Sequence, residues 1–279
     1  MFGTNQIVGQ KWFRENEEAN AGKLYVTSRF YTLQGEGPKA GYPAIFIRLT
    51  KCNLKCAWCD TFFDEGDWYT QEALIDEIKT LTPHPTKSIG IVLTGGEPML
   101  QANISQLIEK LLKEYAWVQI ESNGIVYQPL PEETILVISP KCSEKDGVSV
   151  KYIKPHPRNL DRAACLKFVM SSPENESDYS PYAEIPEFAF EWRTNTGRDI
   201  YASPMNIYNE EPQASKKARL LKNRLEVEER STVDEKISWW TPGLLNMDAN
   251  QRNHEYTAQY CLDHAVRLNL QQHLYASLA

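Results

Sequence analysis

"KCNLKCAWCDT", residues 51–61, places Cys52, Cys56 and Cys59 within eight positions in a C-x3-C-x2-C spacing, with no fourth cysteine nearby. Three thiolates can hold three irons of a cubane [4Fe–4S] cluster and leave the fourth iron open to another ligand, whereas a closed electron-transfer cluster normally takes four cysteines. A structural zinc site prefers four protein ligands, and no histidine stands near this loop to complete one. A catalytic zinc with three ligands and a water remains open, as does a set of ordinary free thiols. The spacing favours the open-site iron–sulfur cluster.

Outward from the loop, the chain alternates short apolar strands with helical segments. Upstream, Leu24 to Leu33 and Ala44 to Thr50 read as strands separated by a Gly/Pro-rich loop. Downstream, "TQEALIDEIKTL" places Leu74, Ile75, Ile78 and Leu81 on one helical face, and "NISQLIEKLLKEY" does the same for Ile104, Leu107, Ile108, Leu111, Leu112 and Tyr115. Between and after these helices, "SIGIVLTGGEP", "WVQIES", "TILVISP", "CLKFVM" and "DIYASP" read as strands. Such alternation predicts βα units around a parallel sheet. Several strands end in "CDT", "TGGEP", "ESNG", "SPK" or "SPM"; in a barrel-like fold those ends share one face, where sites are built.

Composition sets the outer bounds. The chain has 279 residues, 42% hydrophobic and 24% charged, which is ordinary for a globular protein. Its net charge of −7 weighs against a broad nucleic-acid surface. The N-terminus "MFGTNQIVGQKWFRENEEAN" has no apolar signal core, and no run of 18 apolar residues is present, so neither a secretory signal nor a membrane span is expected. A bunched cysteine set in a long chain suits a reducing cytoplasm better than a disulfide framework. Cys142, Cys165 and Cys261 are scattered and read as packing residues. Residues 209–250, charged and then aromatic, read as an insertion interrupting a single domain whose core spans residues 24–208 and 255–279.

The cysteine spacing resembles the radical S-adenosylmethionine (SAM) superfamily, with Trp58 at its aromatic position before the last cysteine and "TGGEP" at its glycine-rich motif. The resemblance implies a partial (βα)6 barrel, a [4Fe–4S] cluster whose open iron chelates SAM, and one-electron cleavage of SAM to a 5′-deoxyadenosyl radical. "FYTLQGEGPKAGYPAIFIRLTKCNLKCAWCDT", with "IESNG", "ISPK", "LKFVM" and "RLNLQQH" following in order, further resembles the 7-carboxy-7-deazaguanine synthase family. That family converts 6-carboxy-5,6,7,8-tetrahydropterin to 7-carboxy-7-deazaguanine by ring contraction with loss of ammonia, a lyase step toward queuosine and related 7-deazapurines. The resemblance implies Mg²⁺, a reductase such as flavodoxin or ferredoxin, a homodimer, and no direct nucleic-acid or membrane partner.

It also implies roles for single residues. Thr61 matches a ligand to Mg²⁺. Trp58, Gly95, Gly96, Glu97, Glu121, Asn123, Ser139 and Lys141 match SAM-binding positions. Gln34, Glu36, Arg48, His273 and the terminal Ala279 match substrate positions. A guanidinium at 48 suits a pterin carboxylate. Two departures stand out: Ser203 lies where glutamine is common, and Gln272 and Leu274 lie where threonine and lysine are common. Two other functions share some of these features. A glycyl-radical activating enzyme would have the same cysteine spacing but leaves Q-G-E-G and the terminal Q-x-H unexplained. A non-catalytic metal-binding protein would leave the strand-end motifs unexplained.

Overall fold

In the computed structural model, residues 8–17, 20–59, 61–175, 177–208 and 246–272 are described. A nine-stranded sheet runs in the order β11-β10-β9-β6-β5-β4-β2-β1-β3. Its parallel part consists of β2 (Pro43–Leu49), β4 (Gly90–Gly95), β5 (Trp117–Ser122), β6 (Ile135–Ile138), β9 (Cys165–Met170), β10 (Ile200–Pro204) and the short β11 (Arg267–Leu268). β1 (Leu24–Leu33) and β3 (Asp67–Tyr69) extend one edge antiparallel. The sheet is open, an incomplete barrel of βα units as the sequence predicts.

Helices cover one face. Thr70 caps α2 (Gln71–Lys79), its Oγ1 accepting from Ala73 N at 3.2 Å, and Leu74, Ile75 and Ile78 enter the core. α3 (Ile104–Glu114) buries Ile104, Leu107, Ile108 and Leu111. These residues meet Ile45, Ile47, Leu49, Ile91, Leu93 and Ile120 of the strands, and the cluster continues through α5 (Glu187–Thr196) and α6 (Met247–His264). Strand side chains alternate between faces, so what remains on the opposite face is the other half of each strand.

The structure departs from strict alternation in places. No helix joins β5 to β6; residues 123–134 form an irregular connection in which Gly124 has φ +80° and Pro129 and Pro131 withhold two backbone donors. After β6 a two-stranded hairpin, β7 (Cys142–Lys145) and β8 (Val148–Tyr152), precedes α4 (Pro157–Arg162). α1 (Gln10–Glu17), unanticipated from sequence, packs Phe13 against Val8 and Leu100. α6 begins at Met247, capped by Asn246, so the last residues of the expected insertion belong to a core helix; residues 209–245 lie outside the described residues. Cys142, Cys165 and Cys261 are buried, as packing residues should be.

Candidate functional site

The sheet face opposite the helices carries a cleft of about 240 Å³ lined by the other half of the strand pattern. Phe30, Thr32 and Gln34 from β1 and its end, Phe46 and Arg48 from β2, and Lys167 and Val169 from β9 all face it. Their odd-even neighbours Ile45, Ile47, Leu166 and Phe168 face the helices. Cys52, Cys56, Cys59, Trp58 and Thr61 line the same cleft, as do Gly95, Gly96, Glu121, Asn123, Ser139 and Lys141. The fold therefore gathers nearly all the residues singled out by motif. His273 and Ala279 lie outside the described residues.

The cysteine loop leaves β2 through Lys51, whose φ of 72° turns the chain sharply. The "TGGEP" motif grips that exit. Gly96 N donates to Leu49 O at 2.9 Å and Glu97 N to Lys51 O at 2.8 Å. A Cβ on Gly96 would lie 1.8 Å from Lys51 O. The close approach that these glycines permit is thus first to the chain's own cysteine loop.

Glu97 has a different place from the one its motif suggests. It is fully buried, and no part of it lines the cleft. One oxygen accepts from Met99 N at 2.9 Å and Ser122 Oγ at 2.8 Å, and the other from Asn123 N at 2.7 Å. Burial pushes its carboxyl up to about 7 against the pull of these donors and of Lys141. With both oxygens engaged, Glu97 ties the ends of β4 and β5 together rather than facing a SAM ammonium. Asn123, one step along, donates to Asn53 Oδ1 at 2.8 Å and so holds the cysteine loop from the side.

The thiols sit in low-dielectric surroundings. Burial, reinforced by Glu97, raises Cys52 well above the usual thiol range; burial raises Cys56 to about 11 although Lys141 pulls it down. Lys141 is itself lowered, chiefly by burial; its Nζ donates to Ser139 Oγ at 2.5 Å and lies 5.2 Å from the Trp58 ring centre. Trp58 packs edge-on against Tyr182 at 5.5 Å. The loop also leans on the hairpin, with Ala57 N donating to Glu144 Oε1 at 2.7 Å.

The remaining wall is a polar network. Lys167 Nζ donates to Glu36 Oε2 and, at 2.8 Å, to Glu121 Oε2. Glu121 Oε1 accepts from Gln34 Nε2 at 2.9 Å and Gln119 Nε2 at 3.1 Å. Glu121 therefore stands with Gln34 and Glu36. Arg48 stacks over Phe30 at 4.8 Å. Lys167 and Gln119 escaped the motif reading; the available signal was a lysine at an inward position of "CLKFVM" and a glutamine at one of "WVQIES". Ser203 does not line the cleft; its hydroxyl accepts from Asn269 Nδ2 at 2.7 Å, and Asn269 Oδ1 accepts from Gly37 N at 2.8 Å. That link fastens the chain after β11 onto the Q-G-E-G loop.

The family model of the radical SAM superfamily matches residues 46–140, from β2 through the cysteine loop to the end of the "SP" motif. A curated 7-carboxy-7-deazaguanine synthase from Rickettsia prowazekii (strain Madrid E) is 41% identical over 172 residues, covering 61% of this chain and 70% of the relative. The chain belongs to the 7-carboxy-7-deazaguanine synthase family. A second 7-carboxy-7-deazaguanine synthase, from Rhodospirillum rubrum, is 35% identical over 179 residues, covering 63% of this chain and 68% of that one. The solved structure titled "Crystal structure of QueE from Escherichia coli" aligns over 95% of this chain and 99% of its own with a TM-score of 0.55; at 21% identity this speaks for the fold.

For this 7-carboxy-7-deazaguanine synthase family member, the radical SAM domain implies a [4Fe–4S] cluster and SAM. The donor set fits. The residues Cys52, Cys56 and Cys59 line one cleft, and three thiolates are the number that a cluster with one open iron requires. Irons at separate corners of a cubane suit thiols spread along a loop. No described helix is long and apolar enough to cross a membrane.

Proposed function

We propose that this chain converts 6-carboxy-5,6,7,8-tetrahydropterin to 7-carboxy-7-deazaguanine, expelling ammonia, and so feeds the synthesis of 7-deazapurines such as queuosine. The observation that carries this reading is the opening of the three-cysteine loop into the cleft formed by Gln34, Glu36, Arg48, Glu121 and Lys167. When bound, a [4Fe–4S] cluster with SAM supplies one-electron bond cleavage and a hydrogen-abstracting radical. Cys52, Cys56 and Cys59 hold that cluster. Trp58, Gly95, Gly96, Asn123, Ser139 and Lys141 line the part of the cleft that would hold SAM, with the Lys141 ammonium suited to its carboxylate.

The substrate's charges and donors find partners on the other wall. Arg48 suits its carboxylate, and Gln34, Glu36 and Glu121 offer acceptors to its aminopyrimidinone edge. Thr61 would contribute one oxygen to Mg²⁺, which commonly keeps water and substrate oxygens for its other positions. His273, which matches a substrate position by resemblance, would complete the substrate side. The cluster needs an electron, which a flavodoxin or ferredoxin would deliver, and a reducing cytoplasm suits it. A homodimer is the expected assembly. Family membership displaces the activating-enzyme alternative.

Anaerobic reconstitution with iron and sulfide, then incubation with reductant, SAM, Mg²⁺ and the pterin, tests the reading by mass spectrometry. Product is expected, and Cys56→Ala should lower it by at least about a thousandfold, the scale of losing an indispensable group. Formation of 5′-deoxyadenosine without deazaguanine would overturn the substrate, and an iron-replete protein yielding neither would overturn the radical chemistry.

A further inference from the structure

Lys167 sits inside β9, flanked by Leu166 and Phe168, and is only 5% exposed. Burial pulls its ammonium down, and the Glu121 and Glu36 carboxylates more than reverse that, leaving it held above its ordinary value. The side chains of Glu36 and Glu121 are 15% and 14% exposed, and both line the cleft. One cation bound to two carboxylates leaves the trio a net charge of −1. Without the cation, two like charges would share a nearly dry site, where one of them takes up a proton. A protonated carboxyl offers a donor where an ionised one offers only acceptors. Thr32, elsewhere in the lining of the same cleft, is 7% exposed and its hydroxyl has no hydrogen-bond partner among the described residues.

We propose that Lys167 is a positioning residue that bridges Glu36 and Glu121, offsets the repulsion between them and holds them side by side, so that the pair accepts from adjacent N–H groups on an aminopyrimidinone edge. This assigns selectivity to the wall. A ring with an exocyclic amine beside a ring N–H satisfies the pair, and a ring without that amine leaves an acceptor unpaired. Sites built to pair a substrate's polar group discriminate strongly against the analogue lacking it. The inference rests on the proposed reading of this cleft as the pterin site. Lys167 acts through the two glutamates and is not itself a catalytic residue.

The charged and titratable groups facing the pair come from several elements. Among the described residues they include Lys167 of β9, Arg48 of β2 and Lys141 after β6, which share the cleft, and the Cys165 thiol, which interacts with Glu121 and which burial raises to about 12, so that it is neutral at working pH. All but Lys167 are common to wild type and variants, so differences between their pH profiles isolate the pair.

The test uses reconstituted holoenzyme and steady-state kinetics with 6-carboxytetrahydropterin from pH 6 to 9. In Lys167→Met, KM should rise about tenfold or more near pH 7 and fall as pH rises, while kcat at saturation and SAM binding change little. Lys167→Arg, keeping the charge, should restore most of the affinity and the wild-type profile. If Lys167→Met fails to fold, Lys167→Met/Glu121→Gln removes one charge of each sign; it should keep a high KM but lose the pH dependence. An unchanged KM and profile in the Met variant would overturn the proposal. So would a parallel loss of kcat, substrate affinity and SAM affinity that arginine does not rescue, which marks a structural strut. Should wild type make no deazaguanine, calorimetry with guanine and hypoxanthine separates the two ideas. A preference for guanine of about tenfold, lost in Lys167→Met, upholds the paired acceptors even then, and equal binding of both rings by wild type refutes them.

Discussion

Glu121 and Lys167 stand on strands, with every polar atom of their contact already matched: Lys167 to two carboxylates, Glu121 to Lys167, Gln34 and Gln119. The cysteine loop, residues 51–59, has a weaker internal frame. Its internal bonds are few and weak, such as Cys59 N to Cys56 O and Leu54 N to Cys52 Sγ, and much of its support comes from outside, from Val8 N on Cys52 O, Lys51 N on Phe63 O, Glu97 N on Lys51 O, Glu144 on Ala57 N and Asn123 on Asn53. Burial pushes Cys52 and Cys56 toward their protonated forms. On the proposed reading, the Glu36–Glu121–Lys167 wall would be built by the protein before substrate binds, whereas the cysteine loop would await iron to deprotonate and fix its thiols. A rigid acceptor pair suits recognition of a fixed ring edge. A loop anchored at its base and sides suits a cofactor assembled after folding.

That contrast can be broken at the anchor. Gly96→Ala places a methyl into Lys51 O, at 1.8 Å in the present geometry, and should cost on the order of 4 kcal/mol or displace the loop, read as a lowered urea midpoint together with lost iron. Unchanged stability and iron content would mean that the grip of "TGGEP" on the loop is incidental.

Glu97 sharpens it next. Its folded value near 7 lies above the reference of 4.5, so folding favours the neutral form. The stability that it contributes is complete below the reference and is lost as pH rises to about 7, a change on the order of 3 kcal/mol. Subtracting the urea-derived stability of Glu97→Gln from that of wild type at pH 5, 6 and 7 should show that decline. A difference independent of pH would place the carboxyl's titration elsewhere.

Hydrogen exchange addresses the two walls together. Reconstituting the cluster should slow exchange of amides in residues 53–59 by about tenfold or more and leave those of β5 and β9 nearly unchanged, since ligand binding protects what it orders. Equal protection of both regions would erase the distinction. The smallest effect is expected far from the cleft. Thr70→Ala removes the cap of α2, should cost about 1 kcal/mol in thermal or urea unfolding, and should leave KM and kcat alone.

Much of this architecture is legible in one dimension because it depends on neighbours in sequence. Leu74, Ile75 and Ile78 lie on one helical face because of the helical repeat, and they bury as that repeat predicts. Ligand spacing is equally local, so Cys52, Cys56 and Cys59 announce their chemistry before any fold is known. Glu97 shows where locality fails: its motif places it at a strand end beside the cluster, but its partners Ser122 and Asn123 come from the next strand. The irregular link of residues 123–134 shows another failure, for strand alternation does not reveal which crossover omits its helix.

By itself, then, the sequence determined the main parallel strands, the helices α2 and α3, the cluster loop and the family, but not α1 or the β7–β8 hairpin. Only tertiary structure decided which half of each strand faces the cleft. A period of two defines two faces but does not say which is covered by helices and which lines a site. Lys167 meets Glu36 across 131 positions of sequence and Glu121 across 46. No local rule couples residues so far apart; the sheet's strand order and register bring them together, and the high cost of leaving any one of them buried without its partners makes them a unit.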